Sequence, residues 1–293
     1  MIENKTVIYI AGYGRSGSTL LDAILGGSEG VTNTGELGSI FDELLEGNAC
    51  SCGYCYETCE RWSLFSAGIS EADLVRFRDI TRYIDSRHSL LRPHLKVLSA
   101  GQKELYRQAI GYVFNTISSP VVVDSTKTAQ NGSFRPIALR DILGFDVKVI
   151  HLKRGFTSVL KSVSKGSNRK MLGKKDIRVK FLAQLGFQSK DPFFENNKNA
   201  LGNMFRGAAG YFFANREAAR LKSIFGDENF LRLDYETLLK NPIAVLSSIE
   251  EKFNVSLSDS KQVISDHGVF ERGHIVGGNR MAQQDIIVRR PYR

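Results

Sequence analysis

The run Val7-Ile8-Tyr9-Ile10-Ala11 passes directly into Gly12-Tyr13-Gly14-Arg15-Ser16-Gly17-Ser18-Thr19, after which Leu20, Leu21, Ile24 and Leu25 recur at helical spacing. No other feature constrains the fold as much. An unbroken apolar, β-branched run reads as a strand buried on both faces, the environment of a parallel sheet covered by helices. Glycines then supply the tight turn, and Gly26-Gly27 stops the helix that follows. Unpaired backbone N–H groups and the positive helix end converge on such a turn, which makes it an anion site.

The rest of the chain repeats this grammar. Val121-Val122-Val123 ends at Asp124, Val147 to Leu152 ends at Arg154, and Phe230 to Leu233 ends at Asp234-Tyr235. Each apolar run stops in polar residues, and in a parallel sheet ligands gather at the carboxyl ends of the strands. Helical stretches are expected over 71–91, 100–117 and 203–225, with Asn241-Pro242 opening a last amphipathic helix carrying Leu246, Ile249 and Phe253. Strands alternating with helices imply a doubly wound α/β domain. With 293 residues, 42% of them hydrophobic, and no internal repeat, the expectation is a single domain over 1–293.

Charge narrows the ligand only to a class. The net charge of +9 favours polyanions without separating a nucleotide from nucleic acid or a membrane surface. The first apolar stretch is too short for a signal peptide's hydrophobic region, and no run approaches a spanning helix, so a cytoplasmic protein is expected. Residues 151–180 carry ten Lys and Arg against Asp176 alone. This span reads either as a solvated face or as a basic lid, placed at 163–200, over an anionic ligand.

The loop itself separates the candidate anions. Gly12 and Gly17 have the spacing of the triphosphate-binding pattern G-x-x-x-x-G-K-[ST], but Ser18 stands where the lysine belongs. That lysine reaches the β and γ phosphates, so its absence weakens a kinase or NTPase reading. Val121-Val122-Val123-Asp124 nonetheless imitates the apolar run ending in a magnesium-holding Asp. Arg15, Ser16, Ser18 and Thr19 offer one cation and three hydroxyls, a set suited to a smaller anion without a metal.

At this point Gly14-Arg15-Ser16-Gly17-Ser18-Thr19-Leu20-Leu21 resembles the 5′-phosphosulfate loop, R-S-G-S-T-x-L, of sulfotransferases that use 3′-phosphoadenosine-5′-phosphosulfate (PAPS). The resemblance extends to Arg154 and, eight residues on, Ser162, the spacing of that family's 3′-phosphate pair. A planar guanidinium forks onto phosphate oxygens, and a hydroxyl two helical turns along reaches another. Where the family has Arg-Asp-Pro, this chain has Arg154-Gly155-Phe156. Gly277-Gly278-Asn279-Arg280 is similar to a C-terminal loop that closes over the nucleotide, which makes Arg280 a further 3′-phosphate contact. Leu231 to Leu238 resembles a structural strand of the family.

The resemblance implies a sulfotransferase of the bacterial or carbohydrate type, with a P-loop-like parallel sheet flanked by helices. It implies sulfuryl transfer from PAPS to an acceptor hydroxyl, leaving adenosine 3′,5′-bisphosphate, with no catalytic metal. Glu36, in Thr34-Gly35-Glu36-Leu37, matches the G-E element that supplies the general base in several members. Lys127, in Asp124-Ser125-Thr126-Lys127, matches the D-S-S-K element and would stabilise the bridging or sulfuryl oxygens alongside Arg15. Asp22, one turn inside the helix, is expected to make a solvent or structural contact. Of the histidines, His151 reads as packed in a strand, while His88 and His94 are alternatives for the base. The acceptor class favoured is a carbohydrate or glycolipid hydroxyl, and no nucleic-acid partner is expected. The rival readings are a P-loop kinase or NTPase, and a non-catalytic polyanion-binding protein.

Cys50, Cys52, Cys55 and Cys59 are all the cysteine in the chain, within a Cys-rich element over 50–62. Cys50-Ser51-Cys52-Gly53 and Cys59-Glu60-Arg61-Trp62 match C-S-C-G and C-x-x-W elements of the same family, and Cys55 is an addition. Zinc held by the four thiolates, one or two disulfides, and free or redox-active thiols are the open readings.

Overall fold

Strand β1 (Thr6–Ala11) lies at the centre of a sheet in a computed structural model that describes residues 5–86, 98–128, 132–164, 200–271, 273–277 and 285–287. Side chains alternate across a strand, and here both faces are covered. Val7, Tyr9 and Ala11 pack into one apolar layer with Phe41, Trp62 and Phe114, while Ile8 and Ile10 pack into another with Leu21, Leu246 and Ile249. That double burial is why the sequence reads as a continuous apolar run.

The elements follow in the expected rhythm. Helix α1 (Ser18–Leu25), β2 (Val31–Asn33), α2 (Ile40–Leu45), α3 (Ser63–Ser66), α4 (Glu71–Asp85) and α5 (Ala100–Phe114) precede β3 (Val121–Asp124). Then come α6 (Arg135–Asp141), β4 (Asp146–Lys153), α7 (Phe156–Ser164), α8 (Ala200–Phe225) and β5 (Phe230–Asp234). Helices α9 (Tyr235–Lys240), α10 (Pro242–Phe253) and α11 (Ser258–Ser265) complete the α/β part, and β6 (Val269–Phe270) pairs antiparallel with β7 (Ile286–Ile287). The main sheet has the order β2-β3-β1-β4-β5, and all its pairings are parallel. The parallel central sheet flanked by helices is therefore the architecture present.

Local chemistry sets the boundaries. Ser70 caps α4 through the Asp73 amide, and Ser99 and Gln102 close a capping box on α5. The helix expected over 71–91 is capped at Ser86, with 87–97 outside the described residues. Pro242 opens α10, and Asn254 closes it in the left-handed conformation. Among the described residues, no helix is long and apolar enough to cross a membrane.

Candidate active site

The carboxyl end of β1 is flanked by those of β3 and β4, because Tyr9 aligns with Asp124 and Ala11 with His151. The glycine loop leaves the sheet between them. Gly12 has a φ of 134°, and a Cβ there would lie 2.5 Å from the Leu152 carbonyl oxygen, so only glycine fits. Its N–H donates to Thr128 Oγ1 at 3.2 Å, hooking the loop to the turn after β3. Arg15 (φ 73°) and Gly17 (φ 93°) are both left-handed, a geometry that turns neighbouring N–H groups toward a common concavity. Gly17 caps α1 without any side-chain acceptor, which leaves the first-turn amides for a ligand. Ser16 Oγ is buried and has no hydrogen-bond partner among the described residues. A buried unsatisfied hydroxyl costs about 1–3 kcal/mol, and an anion seated on the loop would accept from it.

Arg154 follows β4 directly and returns to this loop. Its Nη1 donates to the Arg15 carbonyl at 3.1 Å across 139 residues of sequence. The guanidinium carbon lies 4.5 Å from the centroid of the Tyr235 ring, and the buried Nε has no partner among the described residues. Tyr235 also fills the space beside Gly17, where a Cβ would fall 2.2 Å from its Cδ2. One ring thus packs against both the glycine loop and Arg154. In the sequence Tyr235 stands only at a strand end, and nothing local signals its packing on Gly17. Beside Arg154 opens a cavity of about 400 Å³, lined among others by Lys153, Phe156, Tyr211, Phe212, Asp234 and Glu236. Tyr211 Oη donates to the Arg154 carbonyl at 2.8 Å, and the Phe156 and Tyr211 rings are 5.3 Å apart. Ser162 sits on α7, but its side chain lies outside the description. Arg280 and the 165–199 part of the expected lid lie outside the described residues.

Glu36 and Lys127 meet on the other side of the loop. The chain beyond β2 stays beside β3: Thr34 N donates to the Val123 carbonyl at 3.0 Å, and Ser125 N to the Gly35 carbonyl at 2.8 Å. This register carries Glu36 to the turn after β3, where Lys127 adopts a φ of 69°. Its Nζ donates to Glu36 Oε1. Both side chains are largely buried, at 6% exposure for Lys127 and 15% for Glu36. The sequence singled out each residue, and the structure adds that they form an ion pair.

Asp124 is a different matter from what its sequence context suggests. Its Oδ1 accepts from Thr126 N at 2.9 Å and from Thr126 Oγ1, while Oδ2 accepts from Arg135 Nε at 2.7 Å. Arg135 is 1% exposed and also pairs with Asp85, whose other oxygen accepts from Tyr106 Oη at 2.7 Å. A carboxylate saturated in this way is a brace for the turn and not the open ligand that a magnesium site requires. The imitation of the magnesium-binding strand is therefore superficial.

Of the solvent or structural contact expected of Asp22, the structure shows the structural one. Asp22 is fully buried, and desolvation pushes its carboxyl up to about 7, against the hydrogen bonds from the Gly35 amide and the Asn33 and Ser125 side chains. Gly35 N donates to its Oδ1 at 3.3 Å, so Asp22 holds the residue preceding Glu36. His151 is packed as expected, with Nε2 2.9 Å from Asn215 Oδ1, and burial lowers its pKa. His88 and His94 lie outside the described residues.

The four cysteines do not act as one set. Cys50, Cys52 and Cys59 cluster with His274, whereas Cys55 is exposed with its Sγ 3.0 Å from Thr58 Oγ1. The backbone of 49–55 folds back on itself through an Ala49–Cys55 bridge, which turns Cys55 away from the other sulfurs. All four thiols are free.

No protein-family model matches the chain, and no curated protein matches its sequence. Solved structures similar to it include the sulfotransferase domain of the curacin biosynthetic pathway, at 20% identity and a TM-score of 0.47, covering 97% of this chain and 84% of that one. The sulfotransferase domain of the Synechococcus olefin synthase is 18% identical, with a TM-score of 0.46 over 89% of this chain and 77% of that one. A Mycobacterium avium sulfotransferase is 11% identical, with a TM-score of 0.46 over 91% and 69%.

Proposed function

We propose that this chain is a sulfotransferase that moves a sulfuryl group from PAPS to an acceptor hydroxyl. The observation that carries the reading is the junction of Arg154 with the glycine loop through the Arg15 carbonyl. A loop alone is a generic anion cradle. A loop with a half-buried arginine beside it suits a nucleotide phosphorylated at both its 5′ and 3′ positions.

The residues fit such a donor. The loop amides, Arg15, Ser16, Ser18 and Thr19 would hold the 5′-phosphosulfate, with the unsatisfied Ser16 Oγ as one donor. Arg154 would take the 3′-phosphate through its unpartnered Nε, together with Ser162 and Arg280. The cavity lined by Phe156, Tyr211 and Phe212 would receive the nucleoside.

Glu36 accepts the proton of the acceptor hydroxyl as its oxygen bonds to sulfur. The sulfur–oxygen bond to the 5′-phosphate breaks, and the electron pair leaves on adenosine 3′,5′-bisphosphate. Lys127, released from Glu36 as that carboxylate is neutralised, stabilises charge on the bridging oxygen. The acceptor favoured is a carbohydrate or glycolipid hydroxyl, carried by the sequence resemblance alone. The kinase reading is disfavoured by Ser18 at the lysine position and by the saturated Asp124.

Calorimetry with adenosine 3′,5′-bisphosphate tests the reading. The wild type binds, and Arg154→Ala weakens binding by about 100-fold, since charge-assisted hydrogen bonds contribute about 1.5–3 kcal/mol each. A wild type that binds no bisphosphate, or an Arg154→Ala variant with unchanged affinity, overturns it.

A further inference from the structure

Cys50, Cys52, Cys59 and His274 bring three sulfurs and an imidazole nitrogen together, every ligand atom within 4.8 Å of the others. In a tetrahedral zinc site with bonds of about 2.3 Å to sulfur and about 2.0 Å to nitrogen, sulfur–sulfur edges are about 3.8 Å and sulfur–nitrogen edges about 3.5 Å. Cys52 Sγ and Cys59 Sγ are 3.7 Å apart, and Cys59 Sγ lies 3.2 Å from His274 Nδ1. A disulfide needs about 2.05 Å, so the cluster has the dimensions of a metal cage. Three soft thiol ligands and an imidazole in a closed four-donor set select zinc over magnesium or calcium.

We propose that this knuckle holds a structural zinc ion through Cys50, Cys52, Cys59 and His274, and that the ion clamps the 273–277 segment beside Glu36. The surroundings are built for a fixed imidazole. Ser51 Oγ donates to the Gly273 carbonyl at 2.9 Å and accepts from Ile275 N at 2.8 Å, bracketing His274 on both sides. Trp62, fully buried, donates from Nε1 to the His274 carbonyl at 3.0 Å. With Nδ1 turned to the sulfurs, Nε2 points away from the cluster, 3.9 Å from the exposed Glu60 carboxylate. Three thiolates on Zn²⁺ leave a net negative charge.

The clamp reaches the active-site candidate within two residues. Val276 accepts from Glu36 N at 2.8 Å and donates to the Thr34 carbonyl at 2.8 Å, so the segment pinned at His274 forms one wall beside Glu36. The zinc ion has four protein ligands and no open position, so its role is to position this wall and not to meet substrate.

The test uses the full chain purified from zinc-containing medium without chelator, with metal measured by plasma mass spectrometry. About one zinc per chain is expected, as for a closed site, and Cys55→Ser retains it. Cys59→Ser and His274→Ala lose it. Because those two variants can fail by misfolding, wild-type protein stripped of metal is also titrated with Co²⁺. Intense visible d–d bands with a near-ultraviolet thiolate charge-transfer band are the result expected of a tetrahedral thiolate site. A wild type that holds neither zinc nor cobalt, a Cys52–Cys59 disulfide in the purified chain, or a Cys55→Ser variant as depleted as Cys59→Ser overturns the proposal. None of these readouts involves PAPS or its product, so either proposal can fail without the other.

Discussion

Replacing Asp22 with Asn removes a buried acid at the point where α1 supports Gly35, and the chain gains stability from the change as pH rises. Burial raises the carboxyl from its ordinary value of 3.8 to about 7. Between those values the folded chain holds one proton that the unfolded chain has released, so stability declines as pH rises through the window. Below it both states are protonated, and above about pH 7 the full penalty is present. A shift of about 3 units corresponds to about 4 kcal/mol, of which about 2–3 kcal/mol falls between pH 5 and pH 8. Asn cannot ionise, and its side-chain carbonyl can still accept from Gly35 N. Urea unfolding of both proteins across this range should therefore show Asp22→Asn gaining on the wild type by about 2–3 kcal/mol as pH rises. A difference between the two proteins that stays constant with pH, within about 0.5 kcal/mol, would refute the argument that Asp22 titrates in a desolvated site.

Two further outcomes follow from the packing. Arg135→Met leaves Asp85 and Asp124 buried without their shared cation and should lower unfolding free energy by about 3–5 kcal/mol in urea titration; a loss under about 1 kcal/mol would mean that water or another cation compensates. Gly17→Ala must both tolerate a φ of 93° and displace the Tyr235 ring from 2.2 Å, and left-handed strain alone costs about 1–2 kcal/mol. Its affinity for adenosine 3′,5′-bisphosphate by calorimetry should fall by about 10-fold or more, and an unchanged affinity would detach Tyr235 from the loop's binding geometry.

What could be read in the sequence depended on how far apart in the chain each feature is built. Strand β1, the glycine turn and α1 are contiguous, so apolar run, turn residues and helical spacing appear in one window. Arg154 was visible for the same reason, as the polar end of an apolar strand. Asp124 was misleading because the window containing Val121-Val122-Val123-Asp124 shows the acid and hides its partner. Arg135 looks like any helix-start arginine, yet it is the cation that saturates Asp124. His274 was unreadable as a member of the cysteine cluster, since 215 residues separate it from Cys59 and no spacing rule spans that distance. Cys55 reads as a member only through proximity in sequence, and the turn of the 49–55 backbone removes it.

The position of Glu36 shows why a residue placed by several segments is harder to derive than a contiguous loop. Three separate segments determine it: Asp22 in α1 receives the Gly35 amide, Ser125 after β3 donates to the Gly35 carbonyl, and Val276 receives the Glu36 amide. Lys127 adds the fourth contact from a left-handed residue. The first three are backbone or buried-acid interactions with no residue-type signature of their own, and the ion pair joins two residues that the sequence marks separately but not as partners. The glycine loop is shaped by its own backbone, so a local motif suffices to announce it. A carboxylate aimed from outside its own segment leaves only a Glu after a glycine, and its geometry becomes legible when the sheet brings the three segments together.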